Sequence, residues 1–293
     1  MKINFKNALL TLVLTIVISI FNSEYTLAQR IELGPFFGGS YYIGDINPTR
    51  HFNRTQMAGG AIIRYNLNPR FALKGNVFAG SVEAYDSDSF DDFQRKRNLH
   101  FRSNILDFSA QLEFNFFEYM ISNPEMPFSP YIFAGISLFR FNPQAELDGE
   151  WYDLQPLGTE GQGMTEYPDR KAYPLTQFSF PFGLGMKLRI TNNIACGVEW
   201  SLRRTFTDYL DDVGGVYADQ FKLRAEKGEV AYALANRMEN LSQTESIEGQ
   251  QRGNSKRPDW YSFAGAFIVF KIVTNKNQCS AYRKNKIPRW QYN

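Results

Sequence analysis

Three segments of the chain alternate between apolar residues and polar or small ones, and this alternation predicts long β-strands. In segment 178–190, seven apolar side chains occupy every second position. Segment 106–116 repeats the pattern with six apolar positions, and segment 194–202 repeats it with five. These segments exceed the usual length of about five or six residues in a soluble sheet. They match the length of about 9–11 residues that a tilted strand needs to cross a bilayer.

Eight segments of this kind are predicted, and the connections between them alternate in length. The predicted strands span residues 30–44, 56–66, 70–82, 104–117, 128–140, 178–190, 194–206 and 260–274. The shorter connections are 66–69, 118–127 and 191–193, and the longer ones are 45–55, 83–103, 141–177 and 207–259. Outer-membrane barrels have short periplasmic turns and long extracellular loops. We therefore expect an all-β fold, an eight-stranded antiparallel transmembrane barrel over residues 29–274. A soluble β-domain is the alternative, because its strands would also alternate.

Both ends of the sequence differ in character from the predicted barrel. Residues 1–28 read as a signal peptide, with lysines before an uncharged apolar run and small residues at the end; a membrane anchor is the alternative. An even strand number puts both ends of the barrel on the periplasmic side. Residues 275–293 form a basic tail without an acid, either a solvated or headgroup-contacting extension or a docking segment. The candidate docking residues are Lys276, Arg283, Lys284, Lys286, Arg289 and Trp290.

The polar faces of the predicted strands carry charges that would point into the barrel. Eight strands enclose an interior just wide enough for side chains to fill it. Three acids and three bases are predicted to face this lumen, namely Asp107, Glu113, Lys187, Arg189, Glu199 and Arg203. Unpaired charges are costly in such a space. We therefore expect these residues to pair and to plug the barrel, with a proton or ion path as the alternative.

The long loops carry three further patterns. Loop 83–103 has acids first and bases afterwards, so its charges either fold onto each other, dock a partner or stay solvated. Loop 141–177 is dense in Gly, Pro and aromatic residues, which indicates a loop packed on its own side chains. Segment 228–241 has apolar residues at helical spacing. Asp208, Asp211 and Asp212 do not follow the spacing of a calcium loop and are expected to cap a turn.

The composition of the chain argues against several classes of function. The net charge of +2 argues against a nucleic-acid partner, and the aromatic content of 16% is typical of all-β proteins and membrane barrels. Two cysteines, at positions 196 and 279, and two histidines predict neither a cofactor nor a metal site. An enzyme is not expected. The catalytic alternative is a lipid-acting site at the loop-side rim that combines His51 or His100 with Asp45 and Ser103.

Seven short stretches, in this order and spacing, carry a resemblance to a known family. They are residues 42–48, 64–73, 97–104, 113–117, 130–136, 159–163 and 207–213. In these stretches the sequence resembles the PorG-type outer-membrane proteins of the Bacteroidetes type IX secretion system. The resemblance implies a non-enzymatic protein that holds a periplasmic ring, built from a lipoprotein and its partner protein, to the outer membrane. The resemblance supplies no catalytic residues, and the predicted lipid-facing wall adds outer-membrane lipid as a further partner. A small channel or a surface-adhesion barrel is the alternative.

Overall fold

The computed structural model describes residues 31–238 and 246–272, and within this range eight long antiparallel strands close into a barrel. In chain order the strands are β1 (Ile31–Ile43), β2 (Gln56–Asn66), β3 (Phe71–Tyr85), β4 (His100–Asn115), β5 (Phe128–Arg140), β6 (Pro143–Leu147), β7 (Glu150–Asp153), β8 (Thr176–Arg189), β9 (Ile194–Thr205) and β10 (Trp260–Lys271). All except β6 and β7 form the wall. Because β1 pairs with both β2 and β10, and β3 pairs with β4, no strand of the wall has a free edge.

The predicted fold class is confirmed, and the strand bounds differ mainly at one hairpin. Strands β3 and β4 pair as far as Tyr85 and His100, several residues beyond the predicted bounds. The extension includes Glu83 opposite Arg102. In the sequence these charges look like part of a loop, whereas in the structure Glu83 lies 3.7 Å from Arg54 and Arg102 donates a hydrogen bond of 3.2 Å to Gln144.

The loop between β5 and β8 contains a hairpin that the sequence analysis missed. Strands β6 and β7 pair with each other, and β6 also pairs with β4 through Gln144 and Arg102. The two residues of the turn are Asp148 and Gly149, both with positive φ. Asp-Gly is a preferred pair for a two-residue hairpin turn, so a signal for this element was present in the sequence.

Four short α-helices lie in the described parts of the long loops. They are α1 (Asp92–Arg97), α2 (Leu154–Leu157), α3 (Gln220–Lys227) and α4 (Glu229–Ala235). The prediction of one helix over 228–241 was wrong in its bounds, because α4 ends at Ala235 and a separate helix, α3, precedes it. Gly228 separates α3 from α4 with a φ of 91°, a conformation that breaks a helix and favours glycine. None of the described helices is long and apolar enough to cross a membrane.

The outer surface of the wall is an apolar belt. Side chains alternate across a strand, and the outward positions are exposed and apolar. They include Leu33, Phe37, Ile63, Leu73, Val77, Phe108, Leu112, Ile132, Ile136, Leu138, Phe178, Phe180, Leu184, Met186, Leu188, Val198, Ile268 and Phe270. Ile136, for example, is 66% exposed in the middle of β5. A continuous apolar surface of this extent is not expected in water.

The connections lie at opposite ends of the barrel according to length. Residues 67–70, 116–127 and 190–193 connect strands at one end, which we call the short-turn end. The long loops, residues 44–55, 86–99, 141–175 and 206–259, lie at the other end. Among the described residues, these loops form a structure that we call the loop cap. The predicted signal peptide 1–28 and the tail 275–293 lie outside the described residues.

Candidate functional site

The lumen near the short-turn end contains a linked set of ion pairs. The guanidinium of Arg64 lies 2.9 Å from a carboxylate oxygen of Glu32 and 3.0 Å from one of Glu113. Lys187 donates a hydrogen bond to the other oxygen of Glu113. All four side chains are fully buried. Each acid therefore has a cationic partner, as a stable buried charge requires.

Two further ion pairs continue along the lumen toward the loop cap. Lys74 donates to Glu199, and the Tyr131 hydroxyl donates to the same carboxylate at 2.8 Å. Arg203 lies 3.2 Å from Asp107, which also accepts a hydrogen bond of 2.7 Å from the hydroxyl of Tyr261. These charges pack against buried rings that fill the remaining space, namely Phe36, Phe78, Phe133, Phe263 and Phe267. The lumen is thus occupied by side chains rather than open.

The sequence analysis identified part of this network. Among the described residues the network has four acids and four bases: Glu32, Asp107, Glu113 and Glu199 with Arg64, Lys74, Lys187 and Arg203. Glu32, Arg64 and Lys74 were missed, although each lies at an inward position of the alternating pattern in the first three strands. Listing the inward positions of these strands, as was done for the later ones, would have identified all three residues.

Arg189 does not join the network, contrary to its predicted place. It lies at the last position of β8, where its guanidinium donates to the carbonyl oxygen of Ile121 at 3.0 Å and also to Asn192. Its side chain is half-buried at the short-turn end and is in no described ion pair. The physical reason is position, because the strand ends there and the nearest acceptors belong to the turns.

The loop cap is held together by two buried arginines. Arg252 lies 3.0 Å from a carboxylate oxygen of Glu160 and donates to the carbonyl oxygen of Ala235 at 3.1 Å. The same oxygen of Glu160 accepts hydrogen bonds from the backbone of Gly214 and Gly215 at 3.1 Å. These contacts join residues of loop 141–175 to both described parts of loop 206–259.

The second buried arginine, Arg97, shows how the charges of loop 83–103 are arranged. Its guanidinium makes two hydrogen bonds of 2.7 Å to Asp86, and it also donates to the carbonyl oxygens of Asp45 and Arg252. Asp88 likewise pairs with Arg54 of the neighbouring loop. The acids and bases of this loop therefore fold onto each other and onto adjacent loops.

Acids outnumber bases in the interior of the cap. The Tyr42 hydroxyl lies 2.5 Å from a carboxyl oxygen of Asp211 and 2.8 Å from one of Asp259. One hydroxyl has only one proton to donate, so both contacts are satisfied when one of the two carboxyl groups is protonated. Burial, with repulsion from Asp259, raises the pKa of Asp211 well above its ordinary value, and burial, with repulsion from Asp208, does the same for Asp259.

The pKa values of the other two aspartates of the predicted turn are also raised. Burial raises the pKa of Asp208 to about 9, with a further rise from the Asp45 carboxylate. Burial raises the pKa of Asp212 to about 6, although the guanidinium of Arg252 opposes the rise. Asp211 accepts a hydrogen bond from the backbone of Val213, two residues later, which is the contact of a turn-capping aspartate. In the described part of the chain, no group of acids, histidines and cysteines is arranged to hold a metal ion.

The residues of the catalytic alternative have separate partners. His51 lies 3.1 Å from the Tyr41 hydroxyl, and His100 accepts a hydrogen bond from the backbone of Glu146. Asp45 accepts from the backbone of Asn254, and Ser103 accepts from that of Asn142. These contacts fix loop geometry, and none of them couples a histidine to a nucleophile or to an acid.

The predicted docking residues belong to the tail that follows β10. Lys276, Arg283, Lys284, Lys286, Arg289 and Trp290 lie outside the described residues, as does Cys279. Cys196, in β9, is a free cysteine that is partly exposed on the outer side of the wall.

Comparison with known proteins identifies the family of this chain. A family model described as a domain of unknown function, DUF6089, matches residues 11–227, about three quarters of the sequence. The chain belongs to the DUF6089 family. The match ends at Lys227, the last residue of α3. No curated protein matches the sequence of this DUF6089 chain.

Several solved structures are similar to the DUF6089 chain at low identity. Neisserial surface protein A is 9% identical, with 82% of this chain and 96% of that chain covered and a TM-score of 0.39. The attachment invasion locus protein of Yersinia pestis is 8% identical, with coverages of 82% and 97% and a TM-score of 0.38. The outer membrane protein OprG from Pseudomonas aeruginosa is 8% identical, with coverages of 82% and 96% and a TM-score of 0.37.

Proposed function

We propose that this protein is a non-enzymatic outer-membrane barrel of type IX secretion, which holds the periplasmic ring complex at the outer membrane. The combination of a filled, charge-balanced lumen with a folded loop cap supports a platform, and the resemblance of the seven sequence stretches to PorG-type proteins supports the type IX role. Such a barrel offers surfaces at both ends but no passage between them. A platform for other proteins is the role that this geometry supports best.

The apolar belt supports a membrane location for the barrel. Ile136, Leu184 and Phe37 are each more than half exposed, and each lies on the outside of the wall. The hydrocarbon core of a bilayer has no hydrogen-bonding partners, so a strand can span it only when every backbone group is paired, as in a closed barrel. The closed wall and the apolar outer face meet both requirements together.

The filled lumen argues for a platform over a channel. Arg64, Lys74, Lys187 and Arg203 each contact an acid, and aromatic rings occupy the space between the pairs. Opening a water-filled path would require these buried pairs to separate or to be hydrated together with their neighbours. For a channel we would expect a wider barrel, since an aqueous lumen is typical of barrels with more strands.

The short-turn end is the surface that we assign to the ring. In the proposed orientation it faces the periplasm, where the ring lipoprotein and its partner protein would be bound. Phe116 and Phe117 are about half exposed at this end, beside the exposed ion pair between Arg70 and Glu118. The basic tail 275–293 would extend from the same end, because β10 runs toward it. We therefore propose the turns and the tail as the docking surface.

A pull-down after mild detergent extraction tests the anchoring role. Protein lacking residues 275–293 should retain a folded barrel and release the ring lipoprotein and its partner, because the basic side chains of the tail would be lost. A second variant, in which Lys276, Arg283, Lys284, Lys286 and Arg289 are replaced by Gln and Trp290 is kept, should release the ring as well if the basic side chains bind it. Full recovery of the ring with the truncated protein would refute the role of the tail. If no ring protein is recovered with the full-length chain either, the anchoring role itself is wrong.

A small channel and a surface-adhesion barrel are the competing functions. The loop cap favours adhesion in one respect, because Phe90 is 85% exposed on it. Reconstitution in a planar bilayer tests the channel, and the filled lumen should give no conductance steps. Stable single-channel conductance would exclude the platform as described. Unchanged binding to host or partner cells after Phe90→Ser would remove the support for adhesion.

A further inference from the structure

A pocket of about 390 Å³ lies at the loop-side rim of the barrel, where the apolar belt ends. The ends of three strands contribute Ile43, Arg204 and Trp260 to its lining. Helix α1 contributes Phe93, and the segment before β10 contributes Lys256 and Arg257. Apolar side chains and cations therefore line the pocket together, with cations contributed by both the wall and the loops.

The register of the strands places Arg204 on the outside of the wall. Arg204 is opposite Phe180 of β8 on one side and opposite Trp260 of β10 on the other. Directly opposed residues in antiparallel strands share a face, and Phe180 belongs to the apolar belt. Two residues further along the chain, Phe206 is 70% exposed. Arg204 therefore lies among aromatic side chains at the loop-side edge of the apolar belt.

Three of the four described cations in the lining have no acidic partner among the described residues, whereas the fourth, Arg97, pairs with Asp86. Arg204, Lys256 and Arg257 are exposed, and none of them is in a described ion pair. The two acids of the lining each accept a hydrogen bond from the backbone. Asp91 accepts the backbone hydrogen bond that caps α1, at 2.7 Å from Phe93, and Asp45 accepts one from Asn254 at 2.6 Å.

We propose that this pocket binds the phosphate-bearing headgroup of a membrane lipid. Guanidinium and ammonium groups are the side chains that recognise phosphate best, and arginine can do so with two hydrogen bonds. The acyl chains of the lipid would lie along Phe180 and its neighbours in the belt, while Arg204, Lys256 and Arg257 hold the phosphate. The proposal rests on the membrane location proposed above. It goes beyond general lipid contact by assigning one headgroup chemistry to one place on the rim.

Native mass spectrometry of the full chain released from detergent micelles tests the proposal. The matched probes are dioleoyl phosphatidic acid and dioleoylglycerol, which differ only by the phosphate. We expect at least tenfold tighter binding of phosphatidic acid. The double variant Arg204→Gln and Lys256→Gln should reduce this preference by about tenfold. The control is Arg140→Gln with Lys171→Gln, which removes the same charges from exposed, unpaired positions elsewhere at the loop end.

The outcomes separate this proposal from the one on which it rests. Equal binding of the two lipids, or equal losses in the two double variants, would overturn the headgroup site and leave the barrel function standing. Inorganic phosphate that competes as well as phosphatidic acid would show an anion site without lipid selection, which also overturns it. A chain that fails to insert into phosphatidylcholine vesicles would contradict the membrane location, and the pocket proposal would fail with it.

Discussion

The lumen and the loop cap both bury charged side chains, but they balance charge in opposite ways. In the described lumen network, four acids face four bases. In the cap, two buried arginines, Arg97 and Arg252, stand among a larger set of acids. These acids are Asp45, Asp86, Glu160, Asp208, Asp211, Asp212 and Asp259. When every carboxyl group is ionised, the lumen network has no net charge. In the cap, by contrast, the contacts of the carboxyl groups are satisfied only when some of these groups are protonated. We infer that these carboxyl groups make the cap respond to pH.

The largest effect is expected from removing an acid of the lumen. Glu113→Gln leaves Arg64 and Lys187 without the carboxylate that both contact. Breaking a buried charge network from one side costs about 3–5 kcal/mol. Urea unfolding of the refolded barrel in detergent micelles should show this loss. The control is Glu118→Gln in the half-exposed pair with Arg70, where the loss should be below about 1 kcal/mol. Similar losses in the two variants would contradict the lumen network.

A smaller and more local effect is expected in the cap. Arg252→Met removes the contacts that join Glu160 to the backbone carbonyl of Ala235. Hydrogen exchange should become faster in loops 141–175 and 206–259 by about tenfold or more, with little change in the barrel strands. The control is Lys222→Met, because Lys222 forms an exposed ion pair with Glu166. Uniform loss of protection in the wall as well would mean that cap and lumen form one cooperative unit.

The smallest effect concerns pH. The pKa of Asp208 is raised from an ordinary value of 3.8 to about 9, chiefly by burial. The folded cap therefore keeps a proton that the opened cap releases. Its contribution to stability is full below about pH 4 and is lost as the pH rises toward 9. Asp208→Asn should remove this dependence and slow cap proteolysis severalfold at pH 8.

Proteolysis of the two forms at pH 4 and pH 8 is the measurement for Asp208. The wild-type cap should be cut faster at the higher pH, after correction for the activity of the protease on an unfolded substrate. The Asn variant should show a smaller difference between the two values. An unchanged difference would assign the pH response to other carboxyl groups, of which the pair Asp211 and Asp259 is the first to test.

The wall could be predicted from sequence because its pattern is local. A period of two over 178–190 defines both the strand and its faces, and the alternation of short and long connections defines which strand ends lie together. The residues that were assigned wrongly lie at the ends of strands, where the period-two alternation stops. Arg189 follows the pattern but sits at the last position of β8, and Glu83 and Arg102 look like loop residues until the two strands are placed side by side.

The cap could not be predicted because its contacts join distant parts of the chain. Arg252 and Glu160 are separated by 92 positions, and no periodic pattern connects them. Their pairing depends on how two loops dock above the barrel, which composition alone does not define. The exceptions were the hairpin turn at Asp148 and Gly149 and the helix break at Gly228, where a single residue type indicates a local conformation.

The balanced lumen also determines how the barrel should respond to an electric field. A membrane voltage acts on net charge, at about 2.3 kcal/mol per elementary charge for each 100 mV. The four acids and four bases of the described network sum to zero, so a field does almost no net work on them as a group. A membrane voltage therefore exerts almost no net force on this network as a whole.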